Sequence, residues 1–536
     1  MASVAVLVVG LVCGMILTNL LYNLYFHPLA KIPGPFFARV SSLPSFYHAC
    51  RGHRHIWLSQ NFQLYGAKFR ATPNTVLFNS TEAYSAIYDS KGNFERSNAY
   101  HIFSRNVEDY NTLTTTDVHS HAKKRRYLKA VFTDRSMKAA ASFIIRHVDR
   151  WIDLRSSSSE WSQPQDMSAH IGYLVFDTMN DLFYGNDLKT KECGPNQYRG
   201  IPDLIERYLA FQYPITKSPL RSLVLWLKPR GLNQLLDACS PPHVRDFYRF
   251  VRNSVEKRLE LHNKHEGSDS KENVREDMFY FLLSSKDPET NGPAFTKREL
   301  MAESRLLLIA SNDTTSTALC SILFYIGKYG HVYDKLTKEI RTTFACDEEI
   351  FPGPKLASCK YLRAVIEESL RMTPAGPSEP ERVVLAGGAV IDGQVYPEKT
   401  IVGLPQWAYF HNEDIFEHAF LFDPERWIES PDNPVEKIHQ LRRVFSPFHK
   451  GQYNCIGQGL ALLDLSLTIS RLLWKLDCRI APGTKLGQGS RNSSWGMQDE
   501  NVYQVTDLFV SGRQGPMMQF RRRTDVLGKT CEDDAI

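Results

Sequence analysis

The chain has 536 residues, 43% of them hydrophobic and 23% charged, the balance of a globular protein with a large core. A net charge of +5, from 64 basic and 59 acidic side chains, is too small to support nucleic-acid binding. The ten cysteines are scattered, with no C-x-x-C pair. That pattern argues against a disulfide framework or a structural zinc site, and it leaves free thiols for chemistry.

The first stretch differs from the rest. "VAVLVVGLVCGMIL", Val4 to Leu17, carries no charge, and apolar character continues to Phe26. That length matches the roughly 20 residues a helix needs to cross a bilayer. A cleaved signal peptide is the rival, but there is no charged start and no A-x-A site. Lys31 and Arg39 follow the span, and the positive-inside bias then places the body in the cytosol. "HPLAKIPGP" supplies prolines that cannot continue a helix. The expected division is a transmembrane anchor over 1–26, a proline-rich linker over 27–40 and a single body over 41–536.

Within the body, helical patterns dominate and strand-like runs are few. "NTVLFN" near Asn74, "GGAVIDGQVYPEKTIVGL" near Val390 and "NVYQVTDLFV" near Val505 read as strands. Two polar stretches, 155–165 and 263–273, read as surface loops. The fold class is therefore mainly α with small β-sheets. The longest helix begins at Thr296, where "TKRE" forms a capping box, and runs to about Gly330. Its middle holds Ser311, Asn312, Asp313, Thr314 and Thr315 between apolar residues. Two readings are open there: hydroxyls bonding back to their own helix, or a polar notch facing a ligand.

"FHKGQYNCIGQG", Phe448 to Gly459, places Cys455 just before a helix with Leu460, Leu463, Leu467 and Trp474 at helical spacing. The helix N-terminus is expected to lower the thiol pKa. Gly451 and Gly457 allow tight backbone approach, and Phe448 can shield the sulfur. The plain alternative is one more buried free cysteine.

These residues carry a resemblance. Phe448, Gly451, Cys455 and Gly457 match four of the five fixed positions of F-x-x-G-x-R-x-C-x-G, the cysteine signature of the cytochrome P450 family. "ESLR" supplies an E-x-x-R pair in Glu368 and Arg371, followed by "PERW" at Pro424 to Trp427. "ASNDTT" resembles the family's A-G-x-D-T-T, and "HAKKRR" places His121 and Arg125 at H-x-x-x-R spacing. "YFHPLAKIPGP" is similar to the start of fungal, membrane-anchored members.

The resemblance implies a haem-thiolate monooxygenase that inserts one atom of O2 into an organic substrate, in fungal secondary metabolism. Cys455 would be the axial ligand of haem b, with Phe448 beside it. His121, Arg125, Arg382 and Tyr453 would face the propionates, and Asp313 with Thr314 would form an acid–alcohol pair. Tyr453 stands where the family has arginine, a departure expected to weaken haem retention. Glu368, Arg371 and Arg426 would form a buried scaffold triad. Glu379 and Glu381 have two readings, facing a polar substrate or pairing with Arg382, and the pairing is the one expected. Substrate contacts would come from Tyr100 to Tyr110, Leu306 to Ala310, Pro377 to Glu381, and Leu508 with Phe509. Implied partners are an NADPH–cytochrome P450 reductase, with cytochrome b5 as an optional second donor, and a lipophilic small molecule, with no nucleic acid. The basic run Lys123 to Arg126 is expected to help dock the donor. The implied location is the endoplasmic reticulum membrane, single-pass, with the catalytic domain cytosolic. Alternatives are a haem-thiolate isomerase or dehydratase needing no external electrons, and a non-catalytic haem-binding protein.

Overall fold

A computed structural model describes residues 2–89, 92–106, 109–266 and 275–523. Most of the polar stretch at 263–273 lies outside them. Helix α1 (Ala2–Leu21) is apolar, and Val6, Leu11 and Met15 are exposed. Helix α2 (Arg54–Tyr65) leads into β1 (Lys68–Thr72) and β2 (Thr75–Phe78). Strand β3 (Phe94–Arg96) precedes α3 (Val118–Lys129), α4 (Asp134–Arg155), α5 (Met167–Tyr184), α6 (Ile201–Lys217) and α7 (Pro242–Glu266).

Helix α8 (Lys297–Lys328) is the long helix expected from sequence. Thr296 Oγ1 accepts from the Glu299 N–H, and Glu299 Oε2 accepts from the Thr296 N–H at 3.0 Å, closing the capping box. Helix α8 is long and apolar enough to cross a membrane by length and composition, yet most of it is buried within the protein. It is the core helix, packed along α5 and against α9 (Lys360–Met372) and α10 (Gln458–Lys475). Buried leucines, isoleucines and aromatics of α4, α5, α8, α9 and α10 make one continuous apolar core around it. That surround explains an apolar character all round the helix rather than on one face.

The sheets are small and peripheral. Strand β4 (Arg382–Val384) and β5 (Ile401–Gly403) complete a five-stranded sheet of order β1-β2-β5-β4-β3. β2 and β5 are parallel, and the other pairs are antiparallel. A short hairpin joins Ala389–Ile391 to Gln394–Tyr396. Beyond α10, β6 (Leu476–Ile480) pairs with β9 (Met517–Arg522), and β7 (Val505–Leu508) pairs with β8 (Val510–Arg513).

The E-x-x-R pair is part of this frame. Arg371 Nε and Nη2 donate to the two Glu368 oxygens at 2.9 and 2.8 Å, and Nη1 donates to the carbonyls of Phe410 and Ala419. Arg426 Nε lies 3.5 Å from Glu368, and Trp427 Nε1 donates to it at 2.9 Å. All four side chains are buried. Removing one partner from such a set leaves an uncompensated buried charge, at a cost of about 3–5 kcal/mol.

Candidate active site

A cavity of about 390 Å3 lies between α8, the Cys455 loop and the β4 and β7–β8 segments. Cys455 forms part of its floor, its surface open to the cavity while protein encloses the site. The Cys455 N–H donates to the Phe448 carbonyl at 2.8 Å, which fixes the loop, and Phe448 itself lines the cavity. Gly451 has φ +70°, and a Cβ there would lie 2.0 Å from the Tyr88 carbonyl oxygen. This glycine is therefore needed for backbone packing against residue 88 rather than for ligand approach.

The thiol differs from the sequence expectation. Burial pushes the Cys455 pKa up, and the Gly457 amide and Arg125 pull it down without cancelling that rise. The positive helix end beside the sulfur also favours the ionised form. Coordination to a metal cation would ionise it outright.

Three arginines converge on one side of the cavity. Arg96 on β3 and Arg382 on β4 are directly opposite in the strand register. Each guanidinium sits 4.5 Å from the centroid of the Tyr453 ring. Arg125 on α3 donates to the backbone and side-chain oxygens of Asn454. Among the described residues, no carboxylate lies within ion-pair distance of these three. His121 stacks against Tyr453 with centroids 4.5 Å apart, and its Nε2 is buried without a hydrogen-bond partner. Burial and the fields of Arg96, Arg125 and Arg382 hold the His121 pKa down at about 3, so the ring is neutral. The result is a pocket wall of net positive charge.

On α8, Thr314, Ser311 and Ala310 line the cavity. The Thr314 hydroxyl donates to the Ala310 carbonyl at 2.7 Å, and Ser311 donates to Leu307 at 2.7 Å. Both readings of the polar stretch thus hold together: the hydroxyls bond back to their own helix and face the cavity. Asp313 stands behind Thr314 and away from the cavity. Asn312 Nδ2 donates to its Oδ1 at 3.1 Å, Arg513 lies 3.5 Å away, and Oδ2 has no partner. Burial raises the Asp313 pKa, and Arg513 opposes the rise.

Arg96 and Arg513 escaped the sequence reading, since no motif marks either one. Only the strand register puts Arg96 opposite Arg382, and only the β8 turn puts Arg513 beside Asp313. One further expectation is corrected. Glu379 binds Arg54 at 2.6 Å and Lys217 at 2.8 Å, while Glu381 binds Lys217 at 2.5 Å, so neither acid is Arg382's ion-pair partner. In the basic run, Lys123 pairs with Asp287, Lys124 with Glu299, and Arg126 with Glu289, while Lys123 and Arg126 stay half exposed. Each expected substrate segment reaches the cavity wall, through Tyr100, Leu306, Glu379 and Phe509 among others.

A family model described as Cytochrome P450 matches residues 32–503. The chain is 32% identical to "Cytochrome P450 monooxygenase poxM" of Penicillium oxalicum over 509 residues, 94% of this chain and 92% of that protein. It is 31% identical to "Cytochrome P450 monooxygenase AKT7" of Alternaria alternata over 524 residues, 96% of each chain. Similarity to "Cytochrome P450 monooxygenase atnE" of Emericella nidulans is 31% over 520 residues, 94% of each chain.

Proposed function

The chain belongs to the cytochrome P450 family, and on that premise we propose that Cys455 holds haem iron in a membrane-anchored monooxygenase acting in fungal secondary metabolism. Membership carries the coarser statement: an oxidoreductase with haem on a cysteine thiolate, fed electrons by a redox partner. The observation that carries the site assignment is the placement of Cys455 and Thr314 on the same cavity, beside three arginines without carboxylate partners.

The residues present fit a haem. Cys455 supplies a sulfur open to the cavity, and Arg96, Arg125 and Arg382 supply positive charge for two propionates. His121, neutral and unpartnered at Nε2, supplies a further hydrogen-bonding group. When bound, haem supplies the activation of O2 and the transfer of one oxygen atom to a C–H or C=C bond. The chain does the rest. The Phe448 carbonyl holds the Cys455 backbone by accepting from its N–H, and the Gly457 amide tempers the charge on the sulfur. Thr314 holds a hydroxyl at the cavity wall, where it can orient water and hand on a proton. Asp313, kept beside it by Asn312 and Arg513, serves as the proton source behind that hydroxyl. The apolar lining excludes water and orients the substrate.

The finer reading is that NADPH supplies the electrons through a flavoprotein reductase, with cytochrome b5 as an optional second donor. Residues 1–26 anchor the chain in the endoplasmic reticulum membrane, 27–40 link it and 41–536 form the cytosolic catalytic body. The uncharged, exposed apolar face of α1 supports the anchor. Microsomes carrying this protein and a reductase, incubated with candidate lipophilic intermediates, test the function. Oxygenated product that requires NADPH and O2 is expected. Product formed without electrons would favour the isomerase, and spectral haem binding without turnover would favour a carrier.

A further inference from the structure

Among the described residues, Arg305 is a buried cation without a carboxylate partner. It lies on α8 ahead of the polar stretch and is only 9% exposed. Its Nη2 is buried without a hydrogen-bond partner. Among the described residues, no carboxylate comes within ion-pair distance of it. Its surroundings are phenols: the guanidinium lies 5.0 Å from the Tyr248 ring centroid, and Tyr248 and Tyr208 share a hydroxyl contact of 3.2 Å. An arginine cannot shed its proton, so burial leaves its charge standing and short of hydrogen bonds.

The position of this charge gives it a use. Arg305 forms part of the wall of the active-site cavity and also of a second cavity of about 440 Å3 beside it. The second cavity is lined by Arg105, Arg245, Arg249 and Arg252 against Asp109 and Asp237. Asp237 is bound to Arg105 at 2.7 Å and Asp109 to Arg298 at 2.7 Å, so the nearby acids already have partners. The balance is positive, and such a surface raises the local concentration of anions. The other cations of the main cavity face the Cys455 side, and the Glu379 carboxylate is held by Arg54 and Lys217.

We propose that Arg305 binds the carboxylate of an elongated, lipophilic organic acid whose far end lies over Cys455. This rests on the monooxygenase reading and names its substrate class. Residues 305 and 314 are nine positions apart on one helix, about 13 Å along its axis. The acid group is thereby fixed at one end of the cavity and the oxidised carbon near the other. A guanidinium takes a carboxylate through two parallel N–H donors, which gives orientation as well as affinity.

The haem-loaded full chain is titrated with dodecanoate and with methyl dodecanoate, and binding is read from the haem absorption change as a ligand fills the cavity. Dodecanoate is expected to bind at least tenfold more tightly than the ester. Arg305→Ala and Arg305→Gln are each expected to bring the acid-to-ester ratio near one, and Arg305→Lys to keep part of it. Equal affinities in the wild type, or an undiminished ratio in both uncharged variants, would overturn the proposal. Octanoate and hexadecanoate with their esters extend the series. Absence of an acid preference at all three lengths also overturns it. The carbon monoxide spectrum of each protein reports haem ligation separately. A protein that keeps the thiolate band but lacks the acid preference therefore loses this inference alone.

Discussion

Arg96 and Arg382 face each other directly across antiparallel strands, with the Tyr453 ring 4.5 Å from each guanidinium. Like charges in that register repel, and burial strengthens the repulsion. Burial and the neighbouring Arg382 and Arg125 push the Arg96 pKa down to about 10, although Tyr100 and Tyr453 oppose them. Arg96 and Arg382 would hold the anionic propionates of a haem, whose charge would offset the repulsion. The pair also answers the question that Tyr453 raises: the positive charge missing at 453 is present at 96.

Arg96→Gln should therefore act in opposite directions on the two forms of the protein. Without haem it should stabilise by up to about 1 kcal/mol, since one repelling charge is gone. With haem it should speed haem loss roughly ten- to a hundredfold, the equivalent of about 1.5–3 kcal/mol for a hydrogen bond to a charged group. Thermal unfolding of both forms and haem transfer to an apoprotein acceptor measure the two effects. Destabilisation of both forms would make Arg96 a framework residue.

Thr314→Ala should leave haem binding and the thiolate spectrum intact while separating electron use from product. The expected result is a fall of tenfold or more in product per NADPH, with reduced oxygen released as peroxide. Asp313→Asn should lower kcat by about a hundredfold, in line with loss of a general acid. Product and peroxide counted against NADPH consumed check both variants.

Glu368→Gln should cost about 3–5 kcal/mol of stability, because Arg371 would lose the carboxylate that pairs with it. Expression at reduced temperature followed by urea unfolding measures it. A variant as stable as the wild type would remove the triad's structural role.

Two buried acids give stability a pH dependence. Burial raises the Glu303 pKa to about 7 and the Asp464 pKa to about 6, against the pull of Lys124 on the first and Thr468 on the second. Both bind protons more tightly in the folded protein than in the unfolded chain. Stability should therefore fall as pH rises from about 4 to 7, with the penalty fully present above that window. Glu303 Oε1 accepts from the N–H and the hydroxyl of Thr112, and a glutamine could keep both contacts. Glu303→Gln should raise the unfolding temperature at pH 8 and flatten its slope below pH 7. An unchanged slope would show that Glu303 is ionised throughout.

Local signals were readable before any coordinates. Thr296 and Glu299 mark the start of the core helix, and the Glu368–Arg371 spacing marks a buried pair. Phe448, Gly451 and Cys455 mark the loop that presents the sulfur. What could not be read depends on contacts between distant segments. Arg96 is 286 positions from its opposite number Arg382 and carries no motif. Lys217 reaches Glu379 and Glu381 only because α6 folds over the segment before β4. The balance at the Cys455 thiol is of the same kind: a helix N-terminus is local, but burial is set by the whole fold.

The most direct test of the account is the spectrum of the reduced protein under carbon monoxide, recorded for the wild type and for Cys455→Ser. A strongly red-shifted absorption band in the wild type, lost together with substrate oxidation in the variant, is the predicted result. A wild type that binds haem without that band, or a serine variant that still oxidises substrate, would contradict ligation by Cys455 and the mechanism built on it.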